Sequence, residues 1–133
     1  MKLSHLGASL LLAASLLASP CLAADLPASG RLDPTQATEL YAAQKDGLVI
    51  LDVRTDAEFN AGHAEGALHI PVDQLPSRVQ EVPADKPVLI ICRSGVRASN
   101  AFKILRKAGR PAEQLWFLSG YTDYANGVPT FHK

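Results

Sequence analysis

The sequence predicts an α/β domain built on a mainly parallel sheet with helices covering both faces. Three observations predict it. Residues 48–53 (Leu-Val-Ile-Leu-Asp-Val) and 87–91 (Pro-Val-Leu-Ile-Ile) are short, apolar and β-branched, as strands buried on both faces should be. Residues Ala98, Ala101, Phe102, Leu105 and Ala108 recur at helical spacing directly after the second run. The two kinds of pattern alternate along the chain, which favours strand–helix–strand crossovers and a parallel sheet.

The first residues read as a targeting signal. Lys2 and His5 precede an apolar stretch over 6–17, and Ser19-Pro20-Cys21-Leu22-Ala23 supplies small residues for cleavage after Ala23. The stretch is too short to span a membrane comfortably. Acylation at Cys21 is the lesser alternative, since Pro20 immediately before it suits that processing badly. The expected organisation is a signal peptide over 1–23, a short leader over 24–31 and one domain over 32–133, exported to the periplasm, or secreted where there is no outer membrane.

Within the domain, Asp33 can cap a helix, Pro34 suits its first position and Gln36 can reach back to complete a capping box. That helix should run to about Lys45 and stop near Gly47. After the strand at 48–53, a helical turn over 57–61 ends at Gly62, and 67–70 forms a short strand halted by Pro71. Residues 72–82 form a helix with Pro76 in its first turns or a break. The strand at 87–91 leads through 92–97 into the helix from Ala98. Gly109-Arg110-Pro111 breaks the chain, 115–118 (Leu-Trp-Phe-Leu) is a last strand, and 121–126 reads as a short helix. Phe102, Trp116 and Phe117 are most simply core residues.

Charge excludes several functions. The 133 residues carry 13 Lys and Arg against 13 Asp and Glu. Removing residues 1–23 takes away only Lys2 among them, leaving a net charge of −1. That is no basis for binding nucleic acid, and neither a polybasic nor an amphipathic segment offers stable membrane insertion. Of the two cysteines, cleavage leaves Cys92 alone, so the mature domain cannot form an internal disulfide.

A lone cysteine is often an inert buried hydrophobe. Cys92 differs because it heads the loop Cys92-Arg93-Ser94-Gly95-Val96-Arg97, between a strand's C-terminal end and a helix N-terminus. Open α/β sheets place their ligands there. Backbone amides entering a helix make an anion site, and with nearby arginines they favour the thiolate that attacks. Gly95 lets the backbone turn without crowding the pocket. Arg93 suits binding of an anionic substrate at the mouth, while Arg97 either contacts substrate or pairs with a carboxylate. Ser94 either donates its hydroxyl to the sulfur or fits the turn, and Ser99 satisfies the first helical turn.

Three separated motifs together resemble the single-domain rhodaneses, the thiosulfate sulfurtransferases: Leu51-Asp52-Val53-Arg54 with Glu58-Phe59; Gly62-His63-Ala64-Glu65-Gly66-Ala67 with Ile70-Pro71; and the run from Cys92 to Ser99. The resemblance spans roughly residues 32–129. It implies a rhodanese-like fold with a five-stranded parallel sheet and the cysteine loop as active site. It also implies transfer of the sulfane sulfur of thiosulfate, or of another donor, through a Cys92 persulfide to cyanide or a thiol. Substrate would be bound by Arg93, Ser94, Gly95, Val96 and Arg97, with neither metal nor organic cofactor. Asp52 and Arg54 become a structural pair, and His63 braces a turn rather than acting as a base. Glu65 stands where the family often has proline, so that turn should be less rigid, and Ser119 and Tyr124 stand where the family often has glycine and tryptophan, so the C-terminal packing should differ slightly.

Two rival readings remain. Phosphatases of similar fold have five residues between cysteine and arginine, whereas four separate Cys92 from Arg97 here, implying a tighter pocket suited to sulfur. A persulfide carrier or binding module with little thiosulfate turnover would use the same loop.

Overall fold

Val49–Asp52 and Val88–Ile91, the apolar runs read as buried strands, lie side by side near the centre of a five-stranded sheet. The computed structural model describes residues 26–133, so the expected signal segment, Cys21 and the first leader residues lie outside it. The elements are β1 (Gly30–Leu32), α1 (Pro34–Ala43), β2 (Val49–Asp52), α2 (Asp56–Ala61), β3 (Leu68–His69), α3 (Leu75–Arg78) with a 3-10 turn at Val79–Glu81, β4 (Val88–Ile91), α4 (Val96–Lys107), β5 (Leu115–Leu118), β6 (Tyr121–Ala125) and β7 (Val128–His132). Every pairing in the main sheet is parallel, in the order β1-β5-β4-β2-β3.

Side chains alternate between two cores. Leu51, Val88, Ile90 and Leu115 face α3 and α4, packing with Leu75, Ala98, Ala101 and Leu105. Ile50, Leu89, Ile91, Trp116 and Leu118 face α1, packing with Ala37 and Leu40. A strand covered on both sides has no solvent face to mark with polar residues, which is why these runs are apolar throughout.

Local chemistry fixes the helix starts. At α1, Gln36 N donates to Asp33 Oδ1 at 2.8 Å and Asp33 N donates back to Gln36 Oε1 at 3.0 Å, completing the expected capping box. Such a cap contributes about 1 kcal/mol. Thr55 and Glu58 repeat the device at α2, a signal the sequence reading passed over.

Two expectations are corrected. Gly30 and Arg31, assigned to the leader, form β1 with Leu32 and pair with β5 in register Gly30↔Trp116. Trp116 Nε1 also donates to the carbonyls of Pro27 and Ala28, both at 3.1 Å, so this segment is fastened to the sheet. The helix expected over 121–126 is instead the first strand of an antiparallel hairpin, β6–β7. Its turn is Asn126-Gly127 with φ of +53° and +76°, the left-handed pair that a two-residue hairpin connection needs. The helix within 72–82 is confined to Leu75–Arg78 before the 3-10 turn, with Pro76 in its first turn.

Candidate active site

The parallel register brings the ends of β2 and β4 together, Asp52 opposite Ile91, and Cys92 follows at once. Its side chain is 1% exposed. Sγ accepts hydrogen bonds from the amides of Gly95 at 3.0 Å and Ala98 at 3.3 Å. Both donors belong to the turn that starts α4, so the helix terminus and the loop face the sulfur together.

Gly95 makes this geometry possible. It sits at φ +96°, and a Cβ there would lie 2.9 Å from the carbonyl oxygen of Leu118. Any side chain would push the loop away from β5 and carry the Gly95 amide off the sulfur.

Cys92 opens onto a cavity of about 430 Å³ whose wall includes Arg54, Glu58, Arg93, Tyr121, Thr122 and Tyr124. Arg93 is exposed and, among the described residues, makes no ion pair. Ser94 is exposed and turned to a neighbouring depression with Arg31 and Ser119, and Val96 is 68% exposed beside it. Arg97 is engaged: its Nη1 and Nη2 donate to Glu58 Oε1 and Oε2 at 2.7 and 3.0 Å. Those bonds, foremost among the causes, hold the Glu58 carboxyl down at about 2. Of the two readings left open for Arg97, the structure displays pairing with a carboxylate.

Asp52, at the end of β2, is fully buried and receives the Arg54 side chain through Nε at 2.9 Å and Nη2 at 2.7 Å. Arg54 Nη2 also donates to the Gly62 carbonyl at 2.8 Å, tying β2 to the turn after α2. Burial works to lower the Arg54 pKa, but the hydrogen bond and charge of Asp52 outweigh it and raise the value. His63 is not among the residues that line the Cys92 cavity. Its Nδ1 donates to the Phe59 carbonyl at 2.8 Å, and its ring stacks on Phe59 with centroids 3.7 Å apart. His69 covers the other face of that ring at 4.2 Å.

The hairpin supplies the wall that sequence reasoning missed. Tyr124 lies under the Arg54 guanidinium, 4.9 Å from ring centroid to carbon, and burial foremost, then the charge of Asp52, pushes its phenol up to about 12. The Thr122 hydroxyl is near enough to oppose that rise, yet neither oxygen completes a hydrogen bond of sound geometry among the described residues. The signal for this wall was the Asn126-Gly127 turn.

A parallel α/β sheet here carries at its C-terminal edge a buried cysteine held by loop amides, an arrangement that can favour the thiolate. The chain belongs to the Rhodanese-like domain family, whose model matches residues 36–126. It is 37% identical over 67 residues to a sulfurtransferase of Allochromatium vinosum, covering 50% of this chain and 63% of the relative. It is 34% identical over 71 residues to the thiosulfate sulfurtransferase GlpE of Pseudomonas putida, covering 53% and 63%. The chain thus spans under two thirds of these relatives' length. A rhodanese-related protein of Thermoplasma volcanium shares the fold with a TM-score of 0.57 at 22% identity, over 68% of this chain and 84% of that one. Among the described residues, no helix is long and apolar enough to cross a membrane.

Proposed function

We propose that this protein is a sulfurtransferase that takes the sulfane sulfur of thiosulfate and passes it to a thiophilic acceptor through a persulfide on Cys92. The observation that carries the reading is the pair of amide hydrogen bonds received by Cys92 Sγ. Donors already aimed at the sulfur stabilise the thiolate before attack without reorganising.

In the first half-reaction the Cys92 thiolate attacks the outer sulfur of thiosulfate. A new S–S bond forms, the old one breaks, and its electron pair leaves on sulfite. In the second, cyanide or a thiolate attacks the outer sulfur of the persulfide, and the Cys92 thiolate departs. Neither step consumes a base, and His63 is held on Phe59 without lining the Cys92 cavity. Arg93 meets the anionic donor at the cavity mouth.

Steady-state thiocyanate formation tests the reading. It predicts parallel double-reciprocal lines for thiosulfate and cyanide, the pattern of a covalent intermediate, and no product from Cys92→Ser. Intersecting lines, or turnover by the serine variant, would overturn it.

A persulfide carrier with little thiosulfate turnover is favoured by one observation. With Arg97 occupied by Glu58, Arg93 is the cavity-wall arginine left, among the described residues, without an ion pair to meet a doubly charged donor. Loading of Cys92 by a protein persulfide far faster than by thiosulfate would select this reading. The N-terminal signal supports placing the reaction in the periplasm, and cell fractionation of the full chain tests that placement.

A further inference from the structure

We propose that the basic face around Arg31 and Lys103, centred on Val96, is a docking surface for an acidic protein segment carrying the cysteine that exchanges sulfur with Cys92. The proposal rests on the sulfur-transfer reading above and adds the class of partner.

The chain as a whole balances 13 cationic against 13 acidic side chains, yet the stretch from Arg93 to Arg110 contains six Lys and Arg and neither Asp nor Glu. Three of the six are engaged internally, one by an acid and two by neutral carbonyls. Arg97 pairs with Glu58, Arg106 donates to the Arg110 carbonyl, and Arg110 donates to the carbonyls of Pro83 and Lys86. Arg93, Lys103 and Lys107 are left exposed and, among the described residues, without an ion pair. Arg31 joins them from β1. Its Nη2 donates to Ser119 Oγ at 2.9 Å, a neutral partner that aims the guanidinium without cancelling its charge.

Arg31 and Lys103 share one open surface, while Arg93 lines the Cys92 cavity. Arg31, Lys103, Asn100 and Ser94 border a depression of about 410 Å³ with Val96 in it, and a second depression continues from Arg31 and Ser94 to Lys133. The acid beside this surface, Asp33, has its carboxylate turned onto the start of α1, accepting from Gln36 N. Val96 is 68% exposed and Tyr121, on the wall of the Cys92 cavity, is 40% exposed. Of the three exposed large hydrophobic residues in the described chain, these two stand at the cysteine loop and at its cavity.

Apolar anchors rimmed by charge are the anatomy of a protein interface, whereas a small ligand is usually held in an enclosing pocket. Unpaired cations select an acidic partner and speed its approach. With the partner on this face, its thiol enters the Cys92 cavity between Arg93 and Tyr121. The partner's thiolate attacks the outer sulfur of the Cys92 persulfide, the S–S bond breaks, and Cys92 leaves as the thiolate. The reverse order of bond changes loads Cys92 from a partner persulfide, and neither direction needs an oxidant or reductant.

The test uses two fluorescent peptides sharing a central Cys, one flanked by Asp and Glu, the other by Lys. Each is titrated with the full chain by anisotropy and then given to sulfur-loaded protein. The acidic peptide should bind, and accept sulfur, about tenfold better at low salt, with the advantage shrinking as salt rises. Arg31→Gln/Lys103→Gln should remove most of that advantage while leaving transfer to cyanide unchanged. Equal binding and equal sulfur acceptance by both peptides would overturn the docking proposal and leave sulfur transfer intact. Charge-ordered binding with no sulfur moving to peptide or cyanide would overturn the transfer reading instead. An equal slowing of transfer to glutathione in the double variant would assign the face to small anionic thiols and contradict protein docking.

Discussion

Arg97 and Glu58 stand 39 residues apart in the chain and meet through two hydrogen bonds of 2.7 and 3.0 Å, fastening the cysteine loop to α2. Glu58 also accepts from Thr55 at the start of α2, so one carboxylate serves the helix cap and the loop. The Cys92 cradle therefore depends on an ion pair outside it.

That pair has a pH signature. The Glu58 carboxyl is lowered to about 2, chiefly by Arg97, so its stabilising contribution is complete above its unfolded-state value near 4.5 and is lost as pH falls through about 2. Glu58→Gln should be less stable than the parent by about 1 kcal/mol at pH 7, with the gap closing between pH 4.5 and 2. Paired urea denaturation curves across that range give the difference directly. A gap independent of pH would contradict the assignment.

The Asp52–Arg54 pair is buried more deeply, with the carboxylate wholly covered. Arg54→Met strands that carboxylate and should cost about 3–5 kcal/mol in chemical unfolding. Adding Asp52→Asn to the same chain should restore a large part of the loss, because the cost lies in the orphaned charge. A double variant as unstable as the single one would show that Arg54 acts through its other contacts.

Gly95→Ala should strain the loop by about 1 kcal/mol or more, given φ +96° and the approach of Leu118. Since the displaced amide is one of the two donors to Cys92, sulfur uptake should slow by about tenfold or more. Rapid-quench mass spectrometry of the first half-reaction measures this. Unchanged uptake in a folded variant would remove the Gly95 amide from the mechanism.

The hairpin offers the opposite expectation. The Tyr124 hydroxyl is buried without a completed hydrogen bond among the described residues, and its ring already meets Arg54. Tyr124→Phe should therefore be neutral or stabilising by up to about 1 kcal/mol, read as the shift in thermal midpoint. Clear destabilisation would mean that the hydroxyl has a partner.

Arg93→Ala, on the proposed reading, removes a cation that meets thiosulfate at the mouth. The KM for thiosulfate should rise about tenfold, with a smaller change in kcat and little in stability. Steady-state kinetics at fixed cyanide separate the two parameters.

What was legible in the sequence was local or doubly buried. Asp33, Pro34 and Gln36 announce a helix start within four residues, and the 87–91 run announces a central strand because both its faces are covered. Cys92 was a candidate because it stands where such a strand meets a helix, and its sulfur is found against the loop amides. The partner of Arg97 was not legible, because it is fixed by the fold and not by spacing along the chain. Strand β1 was hidden by its length of three residues and by its dependence on β5 and the distant Trp116. Residues 121–126 misled because Tyr and Ala suit either state, and the Asn126-Gly127 turn that decides the matter stands at their end.

The central claim is that Cys92 holds the transferred sulfur. The intact mass of the reduced protein, taken before and after thiosulfate and again after cyanide, tests it most directly, with Cys92→Ser alongside. The account predicts a gain of one sulfur atom confined to the chain that has Cys92, and its complete loss to cyanide as thiocyanate. No gain in folded, reduced protein from thiosulfate or from a persulfide donor, or an equal gain in the serine variant, would contradict it.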